Sequence, residues 1–158
     1  MLDFQRVFHI GLLVHDLKEG MAHYGEALNL EWAKPFTFEA LPLWTPGTGL
    51  QHLRLEVTYS TRGPQHLEIM IGPKGSFYDP DLSAGFHHVG YWVDDVREEV
   101  QGMQHKGWSV VAAGDVPEEG WGTFVYLTPP GGGLTVELVS TSLMPALNRW
   151  WNGADTLA

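Results

Sequence analysis

Two similar stretches, Phe8-His9-Ile10-Gly11 and His87-His88-Val89-Gly90, lie 79 positions apart in this chain of 158 residues. The same offset relates Asp16 to Asp95, and it also relates the glutamates that follow three residues after each aspartate. Each copy reads as an apolar strand, a turn and the start of a helix. An offset that holds across three successive elements indicates an internal duplication of the chain.

The elements that follow each stretch repeat as well. Asp16 and Asp95 are expected to be helix N-caps, and two strands joined by a turn follow later in each half. The last strands are similar, with the sequences Leu67-Glu68-Ile69 and Val136-Glu137-Leu138. The pattern predicts an α+β fold made of two βαβββ modules in one domain, 1–158. Its expected parts are module 5–72, linker 73–83, module 84–140 and a helical tail, 141–158.

Side-chain alternation places one histidine and one glutamate of each half on the strand face away from the helix. These residues are His9 and Glu68 in the first module, and His88 and Glu137 in the second. Two imidazole nitrogens and two carboxylate oxygens suit one divalent ion of zinc, nickel, cobalt, manganese or iron. The alternative is that hydrogen bonds and pairing with Arg or Lys satisfy each residue separately. The symmetric set of four favours the metal.

Composition and charge exclude several classes of protein. A formal net charge of −10, with nine Lys and Arg residues, argues against binding to nucleic acid or to an anionic membrane surface. The absence of cysteine excludes disulfides and thiolate metal sites. Neither a signal-peptide pattern nor a transmembrane run is present, so we expect a cytoplasmic protein.

The chain resembles the vicinal oxygen chelate superfamily, which includes glyoxalase I, methylmalonyl-CoA epimerase, fosfomycin-resistance proteins and extradiol dioxygenases. The resemblance extends over 7–140 and rests on the two His-x-Gly stretches and the two strands that contain Glu68 and Glu137. It implies an eight-stranded cup around a metal ion that His9, Glu68, His88 and Glu137 hold. Related proteins are often dimers, so the resemblance also implies a homodimer.

Glu68 is the residue on which the subfamily depends. The His/Glu/His/Glu set is similar to that of glyoxalase I, but no arginine constellation for glutathione is recognisable. The pattern around His88 and Gly107-Trp108 is similar to the epimerase branch, which commonly has Gln at the Glu68 position. Fosfomycin-type proteins generally have His there. The resemblance therefore implies a superfamily but not a particular reaction.

Members of this superfamily bind substrates that chelate a metal through two vicinal oxygens, and a carboxylate then moves a proton adjacent to a carbonyl. The function expected is a metal-dependent isomerase, epimerase or lyase that acts on a small carbonyl compound. Glu137 and Glu68 are the candidate bases, and Glu137 is favoured. The alternatives are a protein that binds an aromatic small molecule and an iron-dependent ring-cleaving oxygenase.

The third strand supplies further candidates. Its apolar alternation predicts that His52, Arg54 and Glu56 face the cavity. Epimerases have a catalytic Glu near Gln51 or His52, where this chain has none, so His52 or Glu56 would be the substitute base. Arg54 could hold an anionic group of the substrate. Alternatively, the three residues form a salt-bridge set with no catalytic role.

Several aromatic residues are candidates for substrate binding. Trp92, Phe124 and Tyr126 are expected to line the cup, and Trp44 and Trp121 lie in loops suited to a lid. Core packing is the alternative for all five. The other histidines that we considered are interpreted as structural or solvated: His15, His23, His87 and His105.

The tail ends in a short amphipathic pattern. Leu143, Leu147 and the pair Trp150-Trp151 recur at helical spacing. Exposed tryptophans indicate docking, so the tail is expected to pack either onto its own domain or across a dimer.

Overall fold

Eight strands close into a barrel in the computed structural model, which describes residues 2–155 and 157. The strands are β1 Val7–Leu13, β2 Phe36–Thr45, β3 Gly49–Tyr59, β4 His66–Ile71, β5 Gly85–Val93, β6 Ser109–Ala113, β7 Phe124–Thr128 and β8 Val136–Ser140. Around the barrel they follow the order β1-β4-β3-β2-β6-β7-β8-β5. The predicted α+β fold with an eight-stranded cup is confirmed.

Short helices connect the strands in the described part of the chain. They are α1 Leu17–Leu28, α2 Pro80–Ser83, α3 Val96–Gln104 and α4 Met144–Trp151, with 3-10 turns at Phe4–Arg6, Pro117–Glu119 and Thr141–Leu143. Asp16 and Asp95 cap α1 and α3 as predicted, because their carboxylates accept the backbone N–H of Glu19 at 2.7 Å and of Glu98 at 2.9 Å. None of the described helices is long and apolar enough to span a membrane.

The two halves of the chain have the same strand arrangement. β1 lies parallel to β4 in the first half, and β5 lies parallel to β8 in the second. The halves meet at two seams of unequal length. β1 and β5 pair antiparallel along most of β1, whereas β2 and β6 share only a short contact at Trp44 and Ala113. The β1–β5 seam is therefore the main connection between the halves.

Helices α1 and α3 pack on the outer face of the barrel. Val96, Val100 and Met103 of α3 are buried in one cluster with Leu138 of β8, and Leu17 of α1 belongs to an equivalent cluster in the other half. Burial of each such side chain contributes about 1.5–3 kcal/mol. Because the outer face supplies this packing, the inner face is left for polar groups and a cavity.

Two glycines at the β1–β5 seam have no room for a side chain. The antiparallel register places Gly11 opposite His88 and Gly90 opposite His9. A Cβ atom on Gly11 would lie 2.0 Å from the ring of His88, and one on Gly90 would lie 1.9 Å from the ring of His9. Each histidine therefore lies over the glycine of the other half, which explains why both stretches have the pattern His-x-Gly.

The C-terminal helix packs onto its own domain, which is one of the two expected arrangements. Trp150 is fully buried, and its indole Nε1–H donates to the carbonyl oxygen of Lys34 at 2.8 Å. Trp151 stacks on His66 with ring centroids 3.8 Å apart. Helix α4 thus forms part of the wall of the barrel opening rather than a free tail.

The glycine positions give a stability prediction. Gly11→Ala and Gly90→Ala should each lower the free energy of unfolding by at least about 2 kcal/mol, because the added methyl group overlaps a buried imidazole. Urea denaturation followed by circular dichroism measures this change. Gly102→Ala, on an open face of α3, is the matched control and should raise stability by about 0.5–1 kcal/mol. Equal unfolding midpoints for all three variants would contradict the close approach of histidine and glycine.

Candidate metal centre

Four ionisable side chains from four strands converge inside the barrel. His9 and His88 come from the paired strands β1 and β5, while Glu68 of β4 lies beside Gly11 and Glu137 of β8 lies beside Gly90. The glycines leave the space that both imidazoles occupy. The duplicated stretch therefore delivers one histidine and one glutamate from each half to the same place, as the strand alternation predicted.

The four side chains are close together and buried. The two Nε2 atoms of His9 and His88 are 2.7 Å apart. Oε2 of Glu137 lies 3.1 Å from Nε2 of His9, and Oε2 of Glu68 lies 3.2 Å from Nε2 of His88. Both histidines are completely buried, and both glutamates are less than a tenth exposed. One ligand atom from each residue lies within 4.8 Å of all the others.

Burial and charge act in opposite directions on these groups. Burial alone would raise the pKa values of Glu68 and Glu137, but interaction with the imidazoles of His9 and His88, when these carry a proton, outweighs it and holds both pKa values well below their usual range. Burial would lower the pKa of His88, yet the carboxylates of Glu137 and Glu68 raise it to about 9. Both carboxylates are therefore ionised at neutral pH, and each needs a positive partner inside the protein.

This arrangement fits a divalent cation. At 2.7 Å, the two facing Nε2 atoms cannot both carry a proton, so protons alone do not balance two buried carboxylates. Oε2 of Glu68 is buried and has no hydrogen-bond partner among the described residues. Two neutral imidazole nitrogens and two carboxylate oxygens are ligands that zinc and neighbouring transition metals accept. His9, Glu68, His88 and Glu137 could therefore hold one such ion.

His87, which the sequence did not assign to the site, makes the two histidines unequal. Its Nε2 lies 3.2 Å from the carbonyl oxygen of Phe77, to which it donates. Its Nδ1 is then the acceptor for Nδ1–H of His88, 3.0 Å away. Burial, with the charge of His88, lowers the pKa of His87 to about 4, so its ring is neutral at pH 7.

Two consecutive hydrogen bonds, from His88 to His87 and from His87 to the carbonyl oxygen of Phe77, determine which nitrogen of His88 is free to bind a metal. When His88 is neutral, as metal binding requires, a proton on Nδ1 leaves the lone pair of Nε2 directed at the other three candidate ligands. Phe8 stands at the equivalent position in the first half, and Nδ1 of His9 has no hydrogen-bond partner within residues 2–155 and 157. The second half therefore orients its histidine by a hydrogen bond that the first half lacks.

A cavity of about 300 Å³ opens beside two of the four candidate ligands. Glu68 and Glu137 lie at its polar end, together with the hydroxyl-bearing rings of Tyr59, Tyr78 and Tyr126. The Tyr78 hydroxyl donates to that of Tyr126 at 3.1 Å. Burial, with the nearby glutamate charges, raises the pKa values of all three tyrosines well above 10, so they stay protonated. Apart from Thr123, the remaining wall is apolar, and it includes Phe38, Leu41, Leu55, Val57, Met70, Phe124, Val139, Leu143, Ala146, Leu147, Trp150 and Leu157.

The predicted aromatic residues are divided between this cavity and the core. Phe124 and Tyr126 line the cavity, as expected. Trp92 instead stacks on Phe8 with ring centroids 3.8 Å apart and borders a separate pocket, so the expectation that it lines the cup is wrong. A bulge between Val7 and His9 allows Phe8 and His9 to be buried together, and this brings Phe8 onto Trp92.

Trp44 and Trp121 contact each other rather than the cavity. Their rings make an edge-to-face contact with centroids 5.2 Å apart, and both rings pack on the cluster that surrounds α3. Their position corresponds to core packing, the alternative that was open for these two residues.

The prediction that His52, Arg54 and Glu56 of the third strand face the cavity is wrong. His52, Arg54 and Glu56 lie on the outer side of β3, where Arg54 forms ion pairs with Glu56 and, at 3.6 Å, with Glu39. The inward face contains the alternate residues, since β3 pairs with β4 so that Tyr59 lies opposite Glu68. Residues directly opposite each other in an antiparallel pair share a face. Arg54 and Glu56 therefore follow the alternative prediction, a salt bridge with no catalytic role, and His52 is exposed.

Two tyrosines of the cavity, Tyr59 and Tyr78, were not identified from sequence. Tyr59 ends β3 and would have followed from the alternation once the inward face was correctly assigned. Tyr78 lies in the segment between the modules, where no periodic pattern gives its direction.

The hydrogen bond from His88 to His87 can be tested by metal affinity. His87→Phe, which copies the residue at the equivalent position of the first half, should weaken Zn²⁺ binding about 10–100-fold, because His88 loses the acceptor that fixes its tautomer. Competition with a chromogenic chelator measures this affinity. His23→Phe, at an exposed position on α1, is the control and should leave it unchanged. Wild-type affinity in His87→Phe would show that the hydrogen bond does not orient His88.

Comparison with known proteins agrees with the fold. The family model described as glyoxalase/bleomycin resistance protein/dioxygenase superfamily matches residues 8–127. No curated protein matches the chain in sequence.

Several solved structures have the same fold at low sequence identity. A variant of Streptomyces coelicolor methylmalonyl-CoA epimerase in complex with 2-nitronate-propionyl-CoA is 22% identical, with a TM-score of 0.58 over 85% of this chain and 93% of that chain. Methylmalonyl-CoA epimerase from Mycobacterium tuberculosis is 17% identical, with a TM-score of 0.57 over 89% and 92%. A hypothetical protein from Bacillus halodurans is 19% identical, with a TM-score of 0.58 over 85% and 92%.

The family match covers more than half of the chain, and the resemblance inferred from the His-x-Gly stretches is confirmed. The chain belongs to the glyoxalase/bleomycin resistance protein/dioxygenase superfamily.

Proposed function

We propose that this protein is a metal-dependent isomerase, epimerase or lyase that moves a proton adjacent to a carbonyl group of a small substrate. The observation that supports this proposal is the position of Glu68 and Glu137, which are both potential metal ligands and lie at the polar end of the cavity. A carboxylate in this position can accept a proton from a substrate that occupies the cavity.

A divalent ion bound by His9, Glu68, His88 and Glu137 would act as a Lewis acid and stabilise negative charge on vicinal substrate oxygens. The protein supplies the groups around it. Glu137, as base, would take the proton from the carbon adjacent to the carbonyl and return it to the same or a neighbouring carbon. The protonated hydroxyl of Tyr126 can donate a hydrogen bond to oxygen on which charge develops.

Glu68 and Glu137 are now the main candidates for proton transfer. His52 and Glu56 lie outside the barrel, which removes them as bases for a substrate inside it. Among the described residues that line the cavity, Glu68 and Glu137 are the only carboxylates. An epimerase that uses two bases would use this pair, and an isomerase needs only one of them.

Family membership and structural neighbours support the general class of reaction. Two of the neighbours are methylmalonyl-CoA epimerases, but their low identity to this chain supports a common fold and not a common substrate. The superfamily also includes proteins that bind small molecules without transforming them. We therefore base the proposal on the carboxylates in the cavity.

Hydrogen exchange in deuterated water tests the proposal. Zn²⁺-, Ni²⁺- or Mn²⁺-loaded protein should exchange the methylene protons of 2-hydroxyacetophenone, a neutral compound with two vicinal oxygens. Glu137→Gln should reduce the rate at least about 100-fold, because the amide cannot act as a base. Proton NMR follows the exchange, and elemental analysis of the same samples shows whether the variant still holds its metal.

Glu56→Gln is the matched control, because it makes the same change on the outer face of β3. It should exchange at the wild-type rate. Full exchange activity in metal-loaded Glu137→Gln would exclude Glu137 as the base, and the same result in Glu68→Gln as well would exclude the mechanism.

The apolar cavity wall favours a second candidate, a protein that binds an aromatic molecule without chemistry. Such a protein would bind 2-hydroxyacetophenone with or without metal and would exchange none of its protons. The exchange experiment therefore separates the two candidates.

A further inference from the structure

We propose that the substrate is a neutral molecule that has vicinal oxygens at one end and an aromatic or branched hydrocarbon body at the other. This inference rests on the proposed function, since it assumes that the substrate oxygens approach the metal ligands. It names a class of substrate that differs from the 2-nitronate-propionyl-CoA bound by the Streptomyces coelicolor neighbour.

The charge of the cavity excludes an anionic body. No lysine or arginine is among the described residues that line the cavity, and its charged groups are Glu68 and Glu137. A divalent ion would neutralise these two carboxylates and leave no net positive charge for a further anion. A carboxylate or phosphate on the body of the substrate would then be desolvated without a partner, which is costly.

The nearest cation on the third strand is not available to the substrate. Arg54 lies outside the barrel and is already paired with Glu39 and Glu56. The expectation that Arg54 binds an anionic substrate group therefore does not hold in this fold.

Most of the cavity wall is hydrocarbon, and the C-terminal helix supplies part of it. Leu147 and Trp150 of α4 line the cavity together with Leu55 and Val57 of β3. Trp150 is held in place by its hydrogen bond to Lys34 and by edge contacts with Phe36 and Tyr59. An apolar body placed against this wall would gain about 25 cal/mol for each Å² removed from water.

The volume of the cavity sets the size of the molecule. At about 300 Å³ it is at the lower end of the range for small-molecule sites. A single substituted ring with a two-oxygen head group fits this space. The nucleotide portion of an acyl-CoA would have to remain outside.

Three hydroxamic acids serve as probes, because each presents two adjacent oxygens to a metal. They are acetohydroxamic acid, benzohydroxamic acid and 4-carboxybenzohydroxamic acid, and their binding to Zn²⁺-loaded and metal-free protein can be measured by calorimetry. Benzohydroxamic acid should bind the loaded protein at least about tenfold more tightly than acetohydroxamic acid, because its ring lies against the apolar wall. The 4-carboxy compound should bind at least about 30-fold more weakly than benzohydroxamic acid.

A charge placed on the wall should restore binding of the carboxylated probe. Ala146, at the cavity edge on α4, is half-buried, and Ala146→Arg would bring a guanidinium to the apolar end. This variant should bind 4-carboxybenzohydroxamic acid at least about tenfold more tightly than the wild type does. Asn148→Arg adds the same charge to the same helix away from this cavity and should have no effect.

The outcomes separate this inference from the proposed function. Equal affinity of the loaded protein for all three probes, or tighter binding of the carboxylated one, would overturn the substrate class while leaving metal chelation intact. Failure of all three probes to bind protein that demonstrably holds zinc would overturn the proposed function as well, because no position would be open to vicinal oxygens.

Discussion

The contact of each buried histidine with a glycine on the opposite strand is the constraint on which the rest of the structure depends. His9 lies over Gly90 and His88 lies over Gly11, so the two rings meet at the seam between β1 and β5. This seam is the main connection between the two halves, and it also brings together the four metal-binding candidates. Fold and site therefore have a common origin, because the contact that joins the halves also positions the ligands.

Burial of four ionisable groups is energetically unfavourable unless their charges are balanced. Two imidazoles are completely buried and two carboxylates are less than a tenth exposed, and the geometry of the facing nitrogens prevents two protons from supplying the balance. A divalent ion would pair with all four groups at once. The hydrogen bond from His88 to His87 leaves Nε2 of His88 available to bind that ion. Beyond the centre, the cavity changes abruptly from charged to hydrocarbon, which favours a substrate with a polar head and an apolar body.

Sequence predicted the features that the duplication repeats. The βαβββ pattern, the caps at Asp16 and Asp95 and the convergence of His9, Glu68, His88 and Glu137 all followed from one offset and from strand alternation. Prediction failed where local structure departs from a regular strand or where the two faces of a strand look alike. Phe8, which lies at a bulge, packs on Trp92 in the core, and strand alternation alone did not predict this contact. Near its start β3 has leucines and polar residues on both faces, so alternation did not show which face points inward. Tyr78 and the role of His87 depend on contacts with the segment between the modules, which has no repeat to indicate its path.

Metal stoichiometry tests the central claim most directly. Protein purified without chelators, or incubated with excess Zn²⁺, Ni²⁺, Co²⁺, Mn²⁺ or Fe²⁺ and then desalted, can be analysed for bound metal by elemental analysis. We expect about one divalent ion per chain, and a fall to near zero when His9 and His88 are both replaced by alanine. Near-zero metal in the wild-type protein after every incubation, or an unchanged content in the double variant, would contradict it.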